Sequence, residues 1–205
     1  RVVKGTLPPG SSYFAVKASV PDPALLLASE LKRVLTDSSV VVTGDIAKQK
    51  IEIPSATDQG KVMVTWDSPS LSDIADQMNK ESVNLYAETL LKQIGLTVSS
   101  KGTTEAGTAA IKEFWNRKGI DTRNLFLADG SGLSRANTFT AKTLVDILVY
   151  MKTKSKWFDA YQKSIPITGV EGTQKYYFQD SVLKGKAHAK TGSMTRVRSM
   201  AGYLT

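Results

Sequence analysis

Two short groups of polar residues have the types and spacing to do chemistry. Ser82 and Asn84 place a hydroxyl and a primary amide two residues apart at the start of a helix-like stretch. Further along, Ala-Lys-Thr-Gly-Ser at 189–193 places a lysine, a threonine hydroxyl, a glycine and a serine on a segment that reads as strand. Hydroxyl, amide and ammonium groups donate or accept hydrogen bonds and, when rigidly held, pass protons to and from a reacting group. Each also has a plain structural reading. Ser82 alone would be an N-cap, Asn84 a solvated helix residue and Lys190 a solvated strand lysine. Ser-x-Asn followed in order by Lys-Thr-Gly is the pairing that points beyond those readings.

The elements that must hold these groups follow from periodicity. Val83, Ala87, Leu90, Leu91 and Ile94 recur at helical steps, so a helix is expected from Ser82 with one face toward a core. Before it, Leu71, Ile74 and Met78 give a short helix after the loop at 68–73. The strand carrying Lys190 is expected at 188–191, with a partner at 198–204 and a turn around 192–196. Between these lie a helix started by Thr103 and ended by Gly119, with Ala106, Ala110, Phe114 and Trp115 inward, and helices at 140–151 and 157–161. A brief strand at 125–127 leads into Asp-Gly-Ser-Gly-Leu-Ser-Arg at 129–135, expected to be a structural loop pinned by Asp129 and Arg135. The segment 169–186 reads as an irregular polar surface excursion. Strands are expected at 2–7, 13–20, 40–42, 51–53 and 61–66, and Asp22-Pro23 opens a helix with Leu26, Leu27, Leu31 and Leu35 on its apolar face. Trp66, Trp115 and Trp157 are expected to be core or rim aromatics. Strands at both ends and helices between give a mixed α+β class.

Composition narrows the chemistry. With 205 residues, 41% hydrophobic and 22% charged, the chain is long enough to bury a full core. No cysteine is present, which excludes disulfides, thiolate metal sites and a cysteine nucleophile, and a lone His188 excludes multi-histidine metal sites. No cofactor or metal is expected. His188 itself reads as a partly exposed strand residue, not a triad base. The net charge of +8 favours an anionic neighbour, but the basic residues are scattered without aromatic interleaving, so nucleic acid is not the expected partner. No run of apolar residues is long enough to span a bilayer. The chain opens on Arg-Val-Val-Lys-Gly without an initiator Met, and is expected to be a piece of something longer.

With Ser82-x-Asn84 embedded in Asn-Leu-Tyr-Ala-Glu, the Asp-Gly-Ser-Gly-Leu-Ser-Arg loop and Ala-Lys-Thr-Gly-Ser in that order, the chain resembles the D-alanyl-D-alanine carboxypeptidase/endopeptidase family of low-molecular-mass penicillin-binding proteins. The similarity is densest over 68–203. It implies part of a β-lactamase/transpeptidase-like core, an antiparallel sheet covered by helices, over 61–205. On the family's layout, 1–60 would be the end of an inserted, mostly-β accessory domain. It also implies a serine acyl-transfer enzyme of the periplasm or cell envelope, with peptidoglycan stem peptides as substrates and β-lactam antibiotics as acylating ligands.

By the same resemblance, Ser82 would relay protons between the nucleophile's lysine and the leaving group. Asn84 would point its amide at a substrate carbonyl, and Lys190 would supply positive charge near the substrate carboxylate and the relay. Thr191 would bind that carboxylate, Gly192 would leave room for substrate backbone, and the Ser193 N–H would form half of an oxyanion hole. Position 83 is Val where many relatives have Asp. The nucleophile's Ser-x-x-Lys is expected upstream of Arg1, because Ser29-Glu30-Leu31-Lys32 lies in an ordinary amphipathic helix and Ser181-Val182-Leu183-Lys184 in the excursion before the strand. A β-lactamase-like hydrolase and a non-catalytic peptidoglycan-binding module are the alternatives, and exposed apolar edges are an expected liability.

Overall fold

The computed structural model describes residues 5–6, 9–10, 20–48, 62 and 64–205. The chain divides into two compact units, 1–65 and 66–205. The expected strands at 2–7, 13–20 and 51–53 lie outside the described residues apart from isolated positions. Residues 40–42, and the described part of 61–66, are not strand. Helix α1, Pro23–Asp37, is the described element of the first unit, and it starts as its sequence requires. Asp22 caps it by accepting from the Leu25 N–H at 3.2 Å, and Pro23 takes the first helical position, where no N–H is needed. Of its expected apolar face, Leu26, Leu27 and Leu31 are exposed and Leu35 is partly covered.

The second unit runs α2 Leu71–Lys80, α3 Asn84–Ser99, α4 Thr104–Arg117, α5 Ala141–Lys154, α6 Phe158–Ser164, a 3-10 helix Gly172–Gln174, then β1 Ala187–Met194 and β2 Val197–Leu204. Ser70, Thr103 and Thr140 cap α2, α4 and α5 by accepting from Asp73, Ala106 and Thr143. The strands form an antiparallel pair in which Lys190 faces Ala201 and Met194 faces Val197, so the turn is only Thr195-Arg196. The class is α+β, as expected. The segment expected as a strand at 125–127 is a single bridge between Phe126 and Thr138.

The core is small and lies under α3 and β1. Its buried apolar members are Leu91, Ile120, Leu125, Ile165, Ala187 and Ala189. Helices α3 and α4 meet backbone to backbone, since a Cβ added at Gly107 would sit 2.2 Å from the Leu91 carbonyl oxygen. That close approach keeps Leu91 buried, while Ile94, expected on the same inward face, is turned partly out. On α4, Ala106, Ala110 and Trp115 are partly covered but Phe114 is exposed, contrary to expectation, its ring packed edge-on to Trp115. Trp115 in turn meets Tyr150 of α5 at a centroid distance of 5.7 Å. Trp66 is 90% exposed and Trp157 65%, so neither belongs to the core.

An aromatic cluster ties the helices to the sheet. Phe158 and Tyr161 of α6 pack edge-on against Tyr203 of β2, whose hydroxyl donates to the Leu148 carbonyl of α5 at 2.9 Å. Burial, with the neighbouring Tyr161, pushes the Tyr203 phenol up to about 12. Among the described residues, no helix is long and apolar enough to cross a membrane.

Candidate active site

The two motifs meet. The Lys190 ammonium donates to the Ser82 hydroxyl at 2.9 Å, across 108 positions of sequence, and to the Thr191 carbonyl at 3.2 Å. Burial lowers the Lys190 pKa below its ordinary value of 10.5. A lysine that is easier to deprotonate, bonded among the described residues to a hydroxyl and not to a carboxylate, is equipped to exchange a proton through that hydroxyl.

Ser82 reaches this position by a route the periodicity did not anticipate. Helix α2 ends at Lys80, and the chain reverses into α3 through residues 81–83. Ser82 takes the left-handed conformation, with φ +54°, and Val83 N–H bonds back to the Met78 carbonyl at 3.0 Å, closing the end of α2. The serine therefore terminates α2 and does not cap α3. The α3 N-cap falls on Val83, whose side chain accepts nothing. Left-handed backbone at a non-glycine residue costs about 1–3 kcal/mol, and such residues cluster at functional sites. Here the strain aims the Ser82 hydroxyl at the strand. Asn84, the first residue of α3, is exposed, and its side chain makes no hydrogen bond among the described residues.

Strand β1 changes character along its length. Its outer edge is bonded at the beginning: Thr168 N–H donates to the Ala187 carbonyl at 2.9 Å and Ala189 N–H to the Pro166 carbonyl at 3.0 Å. Backbone groups alternate between the two edges with a period of two residues. Thr191 and Ser193 therefore present their N–H and C=O groups on the same outer edge; the Thr191 carbonyl accepts from the Lys190 ammonium, and the described residues leave the other three groups open. This is the edge along which an extended peptide can be added, and the Ser193 N–H lies on it. Gly192 and Ser193 are exposed, and a Cβ added at Gly192 would lie 2.8 Å from the Ser199 hydroxyl opposite. A cleft of 1020 Å³ between the 129–139 loop and the hairpin end is lined by Ser193, Arg135 and Arg196 among others. It does not reach Ser82 or Lys190. A second cleft, of 320 Å³, touches Thr191, Gly192 and Ser193. His188 is half-buried and bonded through Nδ1 to the Ile165 carbonyl, away from the other polar groups of the site.

The 129–135 loop is structural, as expected, but only one of its expected pins holds. Asp129 accepts from the Gly132 N–H, the Ser134 N–H and the Asn137 amide. Burial acts to raise its pKa, but the Asn137 amide and the backbone N–H groups outweigh it and hold the carboxylate below its ordinary range. Arg135 makes no side-chain hydrogen bond among the described residues. Glu88 does that work instead, accepting from Gly130 N–H, Ser131 N–H and the Ser131 hydroxyl at 3.2, 3.0 and 2.6 Å. The Ser131 hydroxyl leads the causes that lower its pKa. Glu88 lies one helical turn after Asn84, so the loop docks beside the Ser-x-Asn turn. It is the last residue of Asn-Leu-Tyr-Ala-Glu, so the signal was in the motif, unassigned.

The segment expected as a surface excursion contains a second contribution that the sequence reading missed. Gln174 is completely buried and donates from Nε2 to the Thr191 hydroxyl oxygen at 3.0 Å. Nothing in the local pattern of Glu-Gly-Thr-Gln distinguishes that glutamine from a solvated one.

Comparison with known proteins agrees with this geometry. The model of the D-Ala-D-Ala carboxypeptidase 3 (S13) family matches residues 1–205. A D-alanyl-D-alanine carboxypeptidase of Actinomadura sp. strain R39 is 33% identical over 207 aligned positions, covering 98% of this chain and 38% of that protein. The D-alanyl-D-alanine carboxypeptidase DacB of Haemophilus influenzae is 30% identical, covering 99% and 42%. The chain thus spans about two fifths of the length of these relatives. The crystal structure of penicillin-binding protein 4 from Haemophilus influenzae, complexed with a β-lactam, superposes with a TM-score of 0.80 at 28% identity, covering 94% of this chain and 44% of that one. A family match along the whole chain, joined to a fold that brings Ser82 and Lys190 into contact, leads to one conclusion: the chain belongs to the D-Ala-D-Ala carboxypeptidase 3 (S13) family.

Proposed function

We propose that this chain carries the Ser-x-Asn and Lys-Thr-Gly half of a serine-type D-Ala-D-Ala carboxypeptidase/endopeptidase. It acts on peptidoglycan stem peptides in the periplasm or cell envelope and is acylated by β-lactams. Residues 1–60 are the end of an inserted accessory domain, and the nucleophilic serine lies upstream of Arg1, so the 205 residues alone are inactive. The observation that carries this reading is the 2.9 Å bond from Lys190 to Ser82.

The roles are those the family resemblance implies, and the bond between Lys190 and Ser82 supports them. The substrate's terminal carboxylate is held by the Thr191 hydroxyl beside the Lys190 charge, with its backbone along the open edge of β1 and the Asn84 amide on a substrate carbonyl. The upstream serine attacks the carbonyl carbon before the last D-alanine and gives up its proton to the lysine of its own motif. The Ser193 N–H, with the nucleophile's own N–H, stabilises the oxyanion, and losing one such donor costs about 10²- to 10³-fold in rate. On collapse the C–N bond breaks, and the leaving amine takes a proton through the Ser82 hydroxyl, which Lys190 orients. Water then hydrolyses the acyl-enzyme ester.

Labelling with a fluorescent penicillin, on this chain and on the full-length protein side by side, with mass mapping of the adduct, tests the reading. The expected result is one adduct, on the full-length protein alone, upstream of Arg1. An adduct on Ser29 or Ser181 contradicts the assignment of the nucleophile, and no adduct on either chain favours a binding module.

A further inference from the structure

The completely buried Gln174 is not explained by packing. Its Nε2 donates to the Thr191 hydroxyl oxygen, while its Oε1 has no partner among the described residues. A buried amide satisfied at one end only is a standing cost that an apolar side chain of similar volume would avoid. What glutamine offers there, and leucine does not, is the donor to Thr191.

That donor has a chemical consequence. A threonine hydroxyl carries one proton and two lone pairs, and its rotor turns to suit its neighbours. With one lone pair taken by Gln174, the hydroxyl is held as an acceptor on its buried side. Its proton is then left to point toward the open side, where a carboxylate can accept it.

The segment carrying Gln174 is fixed firmly enough for this task. Gln174 N–H bonds to the Glu171 carbonyl at 3.2 Å, and its own carbonyl accepts from Gly169 N–H at 3.0 Å. Glu171 pairs with Lys80, the last residue of α2, at 3.3 Å. Gly172, at φ +52°, lies so close that an added Cβ would be 2.5 Å from the Lys80 carbonyl oxygen. The 3-10 helix therefore abuts the end of α2, two residues before Ser82, and reaches Thr191 through Gln174.

We propose that Gln174 is a positioning residue that sets the Thr191 hydroxyl as a donor to the substrate's carboxylate, from a segment anchored to the end of the helix that presents Ser82. The proposal rests on the serine acyl-transfer reading above.

The test uses the full-length protein and two ligands, benzylpenicillin and its methyl ester, comparing acylation of the native protein with that of Gln174→Leu, Gln174→Met and Thr191→Val. The native protein is expected to favour the free acid. Both Gln174 variants should lose about tenfold on the acid and little on the ester, with the loss in the binding constant and not in the acylation step. In a Thr191→Val background, Gln174→Leu should have no further effect. The ratio of the two ligands is internal to each sample, so a fall in the folded fraction cancels. An unchanged ratio in both Gln174 variants, or equal losses on acid and ester, overturns the proposal. Failure of the native protein to be acylated by either ligand overturns the acyl-transfer reading itself, which separates the two outcomes.

Discussion

The 129–135 loop and the Ser82–Lys190 contact lie beside each other along α3 and use polar groups in opposite ways. In the loop, Asp129 and Glu88 are saturated: each accepts three hydrogen bonds, and both ionise more readily than usual. At the contact, Ser82 sits in left-handed backbone, and among the described residues Lys190 has lost solvation without gaining a carboxylate and the Asn84 side chain makes no hydrogen bond. The difference separates structure from chemistry. Satisfied carboxylates hold a shape, whereas a strained hydroxyl and a desolvated amine keep capacity in reserve for a ligand.

The largest effect should come from breaking the reserve side of this comparison. In the full-length protein, Ser82→Ala should lower the rate of penicillin acylation by about 10²- to 10⁴-fold, with little change in the thermal unfolding midpoint. A large drop in midpoint with activity retained would put Ser82 on the structural side. Next comes the saturated side. Asp129→Ala strips three donors of their acceptor and should destabilise the fold by about 3 kcal/mol, read from thermal or denaturant unfolding.

Acid should sharpen the contrast. Glu88 and Asp129 have lowered folded pKa values, so their stabilisation is complete above their unfolded values of 4.5 and 3.8 and is lost as pH falls through the lower folded ones. The unfolding midpoint should hold between about pH 7 and 5 and fall below about pH 4, and Glu88→Gln should blunt that fall. Lys190 runs the other way. Its folded value lies below 10.5, so its charged form is penalised at neutral pH, and stability from this group rises as pH climbs from the folded value toward 10.5. Lys190→Met should flatten that alkaline limb. The smallest effect on stability is expected from Ser82→Gly, which relieves the left-handed strain and should leave stability unchanged or raised by up to about 1 kcal/mol while activity falls as in Ser82→Ala.

Much of this was legible before any coordinates, and the illegible parts share a cause. Asp22, Thr103 and Thr140 announced their helices, because a capping side chain bonds its own backbone and needs no distant partner. The α3 helix and the Lys-Thr-Gly hairpin were equally plain, and the order of the motifs pointed to the pair of residues, Ser82 and Lys190, that meet in the fold. Ser82 was expected at the start of α3 but ends α2, because its conformation is set by the end of α2, which a periodicity centred on α3 does not register. Phe114 follows the helical pattern but is exposed, its ring packed edge-on to Trp115, which periodicity alone does not register. Gln174 was invisible because burial of a polar residue in an irregular segment depends on what packs over it, here β1 and the end of α2.

The most direct test of the account is a double-mutant cycle on the penicillin acylation rate of the full-length protein, built from Ser82→Ala and Lys190→Met. If the 2.9 Å bond makes the two residues one proton-handling unit, the double variant should be little worse than either single one. Fully additive losses would mean that Ser82 and Lys190 act independently and that their contact in the fold is not the functional one.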